Sequence, residues 1–254
     1  MAGLSLVEGF SVADYAIFVC AVTLAFAVRG GAGFGGGVVL APLLALVAPL
    51  AVVVPVSSAL NMISGVSQGI RDWRKVAWPD LLRIAPFSFA GVLLGIWLLT
   101  RIDARPLSKA FGVFIVLYAL YMLKSKGVMP AIARRWLYPL GAFLSLLAGT
   151  VGSLFGGAAG PLYVMYLSAL KLNRDCFRAT ITMIMLTMGT ARVIGFLATG
   201  LYTQKVLSLL AIGVPLVLIG GWIGARVVAR LDQDRFGRLV GMVLLVCGSI
   251  LALK

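Results

Sequence analysis

The sequence predicts an all-α, polytopic membrane protein with about eight to ten transmembrane segments, built as two inverted repeats with glycine-rich broken helices. Three observations predict it: an apolar composition, ten apolar stretches of helical length, and motifs that recur at a fixed offset. Of 254 residues, 61% are hydrophobic and 12% charged, against about half and a quarter in soluble domains. A crossing takes about 20 apolar residues, so this content supplies on the order of eight full spans, or more if some are short.

The stretches run 11–28, 38–54, 55–70, 79–99 and 107–123, then 136–151, 159–170, 179–199, 206–229 and 237–253. The first follows no basic n-region and reads as a retained span, not a cleaved signal. The second and seventh are short and open on glycine-rich entries, 30–37 and 149–160, which suits half-helices or re-entrant segments. The third carries a polar stripe, Ser57, Asn61, Ser64 and Gln68, on one helical face. Thr180, Thr187 and Thr190 lie in the eighth, which also encloses Arg192.

A net charge of +14 raises nucleic acid as a partner. The basic residues, however, fall at the ends of apolar runs and form no continuous face, so the lipid bilayer is the partner expected and nucleic acid is not. With ten crossings and an outside N-terminus, sixteen of the 22 Lys and Arg residues share one face and five the other, leaving Arg192 inside a span. If the two glycine-rich stretches returned to the side they entered from, the split would be ten to eleven and carry no orientation signal. Ten crossings with both termini outside are therefore expected.

Residues 86–112 align without gaps on 215–241, matching Pro86 with Pro215, Gly91 with Gly220, Gly95 with Gly224, Arg101 with Arg230 and Asp103 with Asp232. The triplet Phe34-Gly35-Gly36 corresponds to Phe155-Gly156-Gly157 at an offset smaller by eight. The extra residues are expected near Lys171 to Cys176. The chain thus divides into membrane repeats 1–127 and 128–254 within one integral unit. Five segments per repeat is odd, so the halves insert in opposite senses, and a duplicated pair of interrupted spans points to a midplane site between them.

The first interruption contains Gly33, Phe34, Gly35, Gly36 and Gly37, and consecutive glycines disfavour helix by roughly 1 kcal/mol each. The second contains Gly156, Gly157 and Gly160, with Pro161 suited to the first turn of a restarting helix. Broken helices persist in a bilayer only where protein or a wet cavity receives the freed backbone groups. A fresh helix N-terminus offers N–H donors and positive potential to an anion. The alternative is close packing of small residues, which is the reading for the i, i+4 pairs Gly91/Gly95 and Gly220/Gly224.

Arg192 lies too deep for easy snorkelling, and a polar group at that depth is costly enough to suggest function. Ser57 and Asn61 join it as candidate ligands. All eight acids lie near segment ends or in loops, which leaves no acid to bind a cation and makes the site chemically an anion site. No metal or cofactor is expected. There is no His, and Cys20, Cys176 and Cys247 show no metal or disulfide spacing, so an intramembrane lipid-modifying enzyme lacks its base and nucleophile. A passive scaffold or channel subunit fits the paired interruptions poorly.

The residues Gly33-Phe34-Gly35-Gly36-Gly37 with Pro42, Gly156-Gly157 with Gly160-Pro161 and Tyr166-Leu167, and Phe177-Arg178-Ala179-Thr180 resemble the TauE/SafE family of sulfite exporters and toluenesulfonate-uptake permeases. The resemblance covers nearly the whole chain. It implies a permease of the bacterial cytoplasmic (inner) membrane for small sulfur-containing anions such as sulfite, organosulfonates or thiosulfate, and it carries Arg178 and Thr180 over as motif matches. Ala158 and Ala159 depart from the family's glycine-rich second motif. An interior-negative potential drives anions outward by about 2.3 kcal/mol per charge per 100 mV, which makes export the economical direction. Uptake of another small anion is the alternative. Substrate, coupling and oligomeric state stay open.

Overall fold

The computed structural model describes residues 11–32, 35–124, 134–226 and 233–253. It is 89% helical with no strand among the described residues, as the apolar periodicity requires. The helices are α1 (Val12–Ala32), α2 (Gly36–Ala45), α3 (Leu50–Asp72), α4 (Trp78–Arg101), α5 (Ala104–Lys124), α6 (Arg134–Leu154), α7 (Gly160–Ala169), α8 (Arg174–Ala198), α9 (Gln204–Arg226) and α10 (Gln233–Leu253), with a 3-10 turn at Trp73–Lys75 after α3.

Local chemistry sets several of these ends. Ser11 and Asp14 form a reciprocal box at the start of α1: the Ser11 N–H donates to the Asp14 carboxylate at 2.9 Å and the Asp14 N–H to Ser11 Oγ at 3.2 Å. Asn173 caps α8 by accepting the Cys176 N–H at 2.8 Å. Pro79 and Pro161 sit in the first turns of α4 and α7, where a missing N–H costs nothing.

Eight helices have 21 to 25 residues, whereas α2 and α7 have 10. At 1.5 Å per residue a 10-residue helix reaches about 15 Å, half a hydrocarbon core. Ten complete crossings therefore give way to eight long helices and two half-length ones. Five helices are individually long and apolar enough to cross, six if α3 is counted with its bent continuation.

The order long, short, long, long, long occurs twice, and packing partners repeat with it: α1 lies on α9 as α6 lies on α4, α3 meets α8, and α5 meets α10. Directions are legible from the glycine contacts. Gly91 faces Leu146 and Gly95 faces Thr150 and Ser153, so α4 and α6 run parallel; Gly220 faces Thr23 and Gly224 faces Ala27, so α9 and α1 do as well. In contrast, Gly189 faces Met62 while Gly69 faces Met183, and Gly112 faces Ala252 while Gly241 faces Leu123. Thus α3/α8 and α5/α10 run antiparallel.

The proposed division at 127/128 lies outside the described residues. Extra residues of the second half are not concentrated near Lys171 to Cys176, since connections 46–49 and 170–173 are equally long. Connections 73–77 and 199–203 are equally long as well; the second half instead has a longer α8, 25 residues against 23 in α3, and an α9 that begins further ahead of its proline, Pro215, than α4 begins ahead of Pro86.

Outward faces are apolar. Leu82, Phe89, Leu93 and Trp97 on α4, and Leu207, Leu218, Ile219 and Trp222 on α9, are all exposed, the inverse of a soluble bundle and the surface that lipid tails require. The Arg226 guanidinium lies 4.0 Å over the Trp222 ring, a pairing of basic and aromatic groups suited to a membrane interface. Inside, van der Waals packing carries the assembly, because apolar helices gain little by leaving lipid for one another. A Cβ at Gly91 would strike the Leu146 carbonyl and one at Gly224 the Ala27 carbonyl, whereas Gly221 has nothing within 4 Å. Gly91→Leu and Gly224→Leu should each destabilise the detergent-solubilised protein by about 1–3 kcal/mol in denaturant melts, and Gly221→Ala should be neutral or stabilising by up to about 1 kcal/mol.

Candidate functional site

Both glycine runs interrupt the chain. Gly35 takes φ 95°, a left-handed value that side chains resist, immediately before α2, and Gly156 and Gly157 take φ 64° and 88° between α6 and α7. No side chain caps the N-terminus of α2 or of α7; the first-turn N–H groups of α2 stay open to another acceptor, whereas in α7 Pro161 has no N–H and Leu162 donates to the Ala159 carbonyl at 3.1 Å. Gly33 and Phe34 lie outside the described residues.

The two breaks meet. A methyl on Gly37 would sit 2.8 Å from the Gly156 carbonyl oxygen and 2.9 Å from that of Gly157; only glycine permits this approach of backbone to backbone. Asn61, midway along α3, stands at the junction: a methyl on Gly36 would lie 3.0 Å from its Oδ1, and one on Gly157 would lie 3.6 Å from its Nδ2. Ser57, one turn earlier, abuts Gly156 and donates its own hydroxyl to the Val53 carbonyl at 2.6 Å. Phe155 anchors the second break by stacking on Phe111 of α5, with centroids 4.7 Å apart.

Two guanidiniums flank this junction. Arg192 on α8 is 1% exposed, and its nitrogens face Gly152, Gly157 and Gly189. Arg29 on α1 is 4% exposed; its Nη1 donates to Asn61 Oδ1 at 2.9 Å, while Asn61 Nδ2 donates to the Ser57 carbonyl at 2.7 Å. Nε and Nη2 of Arg29, and Nε and Nη1 of Arg192, are buried without a partner among the described residues. The ion pairs found among those residues lie at Arg71, Lys75 and Arg83, so none reaches Arg29 or Arg192. The phenols of Tyr163 and Tyr202 are within electrostatic reach of Arg192. Tyr163 also lies near Ser88, and although both are fully buried neither hydroxyl completes a hydrogen bond.

The arrangement is rich in donors and short of acceptors. Each buried guanidinium costs at least about 2.5 kcal/mol in an apolar bundle, and among the described side chains Asn61 is the one whose oxygen accepts from either of them. An anion arriving at this junction would meet guanidinium N–H groups, the open N-terminus of α2 and free hydroxyls at once. Among the described residues no cluster of His, Cys, Asp or Glu could hold a metal ion.

Of the residues singled out in the sequence, the fold gathers Gly36, Gly37, Ser57, Asn61, Gly156, Gly157 and Arg192; Gly35 makes the turn into α2, and Gly160 is buried in the first turn of α7. Two it does not gather. Arg178 is exposed beside a surface basin of about 420 Å³ that Arg71, Asp72, Lys75 and Asp175 also line. Thr180 is buried but engaged, donating to the Cys176 carbonyl at 2.7 Å and accepting the Ala77 N–H at 2.9 Å, which pins the start of α4 to α8. Twelve residues of helix, about 18 Å, separate it from Arg192. Sequence reasoning missed Arg29, which it placed on a loop face, and Tyr163. Arg29 was findable, because a charge set directly against a glycine break borders the most suspect segment of the chain.

An apolar-faced bundle of long and half-length helices, broken toward a buried polar junction, is that of a multi-pass membrane protein, and its family is one of membrane transporters. The chain belongs to the sulfite exporter TauE/SafE family, whose family model matches residues 17–251. No curated protein and no solved structure gives a significant match.

Two substitutions separate the structural residues from the junction. Thr180→Val should lower stability by about 1 kcal/mol, because it removes the acceptor of the part-buried Ala77 N–H, while transport by the folded fraction persists. Gly156→Ala should forfeit transport, since it both strains the left-handed turn, by about 1–3 kcal/mol, and drives a methyl into Ser57; flux and melting measured on the same preparation distinguish the two effects.

Proposed function

We propose that the chain is a permease for small sulfur-containing anions of the sulfite, organosulfonate or thiosulfate class, that it works outward across the bacterial cytoplasmic membrane, and that its substrate binds where the two helix breaks meet. One observation carries the reading: two guanidiniums, each more than nine-tenths buried, face that junction with nitrogens that have no partner, and no carboxylate against them, among the described residues. Gly36, Gly37, Gly156 and Gly157 supply approach without side-chain obstruction, Asn61 orients Arg29, and Arg192 provides charge from the other side. The family to which the chain belongs supports the sulfur oxyanion class.

The two halves insert in opposite senses. Support comes from the antiparallel meeting of α3 with α8 and α5 with α10, since equivalent helices of an inverted pair must oppose one another. Alternating access then follows from rocking one half against the other about the shared junction. Outward movement needs no coupling acid, because the membrane potential supplies about 2.3 kcal/mol per charge per 100 mV, which agrees with an interior where Arg29 and Arg192 have no carboxylate partner.

Purified protein in liposomes should move labelled sulfite or a sulfonate down an imposed gradient, faster when the substrate-containing side is negative. Arg192→Ala, Arg29→Ala and Asn61→Ala should each cut flux about tenfold or more, the equivalent of one charged hydrogen bond at 1.5–3 kcal/mol, with insertion and helicity retained. Undiminished flux in all three would remove the junction from the transport path.

A further inference from the structure

We infer that the junction takes its substrate as a dianion, with one negative group on Arg29 and the other on Arg192, and discriminates against monoanions carrying the same group. This rests on the anion-site reading above and adds the charge state that the site selects. Both guanidiniums are buried, each with two nitrogens lacking a partner among the described residues. A monoanion would compensate one of them and leave the other charged in a low-dielectric interior, the arrangement that is most strongly disfavoured. A dianion neutralises both.

The two ends are chemically distinct, which favours a ligand that spans them. At one end Arg29 is fixed by its bond to Asn61 and lies against the first turn of α2, so an acidic group there meets a guanidinium and a helix N-terminus together. At the other, Arg192 shares its surroundings with the unpaired hydroxyls of Tyr163 and Ser88, neutral donors that serve the remaining oxygens of a second acidic group. Arg29 is bonded to Asn61, and a methyl placed on Gly157 would lie 3.6 Å from Asn61 Nδ2 and 3.9 Å from Arg192 Nη2, so both ends border the same break. The shared chemistry is therefore two formal negative charges on oxygen-rich groups, from either a compact dianionic oxyanion or a short bifunctional acid.

Isothermal titration of the purified full chain in detergent, with matched probes, tests this. Ethane-1,2-disulfonate is paired with ethanesulfonate, and sulfate with methanesulfonate. At least one dianion should bind about tenfold or more tightly than its monoanionic partner, a difference of about 1.4 kcal/mol, and which pair shows it tells the bifunctional source from the compact one. Arg29→Gln and Arg192→Gln should each pull that ratio toward one, and Arg192→Lys, which keeps the charge, should retain it. Equal affinities within both pairs for the unmodified protein overturn the dianion assignment while leaving an anion site standing. No heat with any of the four probes, together with no anion flux in liposomes, overturns the anion-site reading itself. Should a glutamine variant fail to fold, the ratio in the unmodified protein decides.

Discussion

Positive charge held inside an apolar bundle, with no counterion among the described residues, is the constraint on which the structure turns. Arg29 and Arg192 are buried, and the side-chain groups nearest them are mostly donors as well. The N-terminus of α2 adds N–H, and Tyr163 and Ser88 add hydroxyls. Asn61 is the exception, turning its oxygen to Arg29 and its amide N–H to the Ser57 carbonyl. Such a site is left incomplete by protein alone, and an oxyanion is the kind of group that completes it.

The remaining architecture makes that site possible. Small residues let α1 lie on α9 and α4 on α6 at backbone contact, and these paired ribs bracket the crossing of α3 with α8, which carry Asn61 and Arg192. The half-length helices α2 and α7 fill the space between and bring their uncapped ends together. Glycine at 37, 156 and 157 has a geometric role here: a side chain at Gly37 would strike the opposite break, and positions 156 and 157 need a left-handed backbone. Ion pairs contribute little, since those linking Lys75 to Asp72 and Asp175 at 3.8 and 3.7 Å are solvent-exposed.

Much of this was legible along the chain because a bilayer penalises exceptions. A glycine run within an apolar stretch, a buried-depth Asn and an Arg inside a span each violate the membrane's rules at a cost of kilocalories, so each stood out. Arg29 was marked only by its place against the glycine break. It lies in the last turn of α1, where a basic residue is as well explained by snorkelling or a favourable helix dipole as by burial. Arg178 and Thr180 show the opposite error: matched as part of a motif, they lie a dozen residues from the junction, where Thr180 instead holds the α4 start. A motif marks that residues matter without saying for what.

Sequence alone determined the class: apolar content marked a membrane protein, and glycine runs marked where two helices break. These properties depend on local chain chemistry, which is written residue by residue. Only the tertiary structure decided that the breaks touch, that α2 and α7 are no longer than about half a membrane's thickness, and that Arg29 turns inward to Asn61. Those outcomes are set by how far helices from different parts of the chain can approach, and a linear pattern of polarity is equally compatible with a side chain facing the interior or the interface.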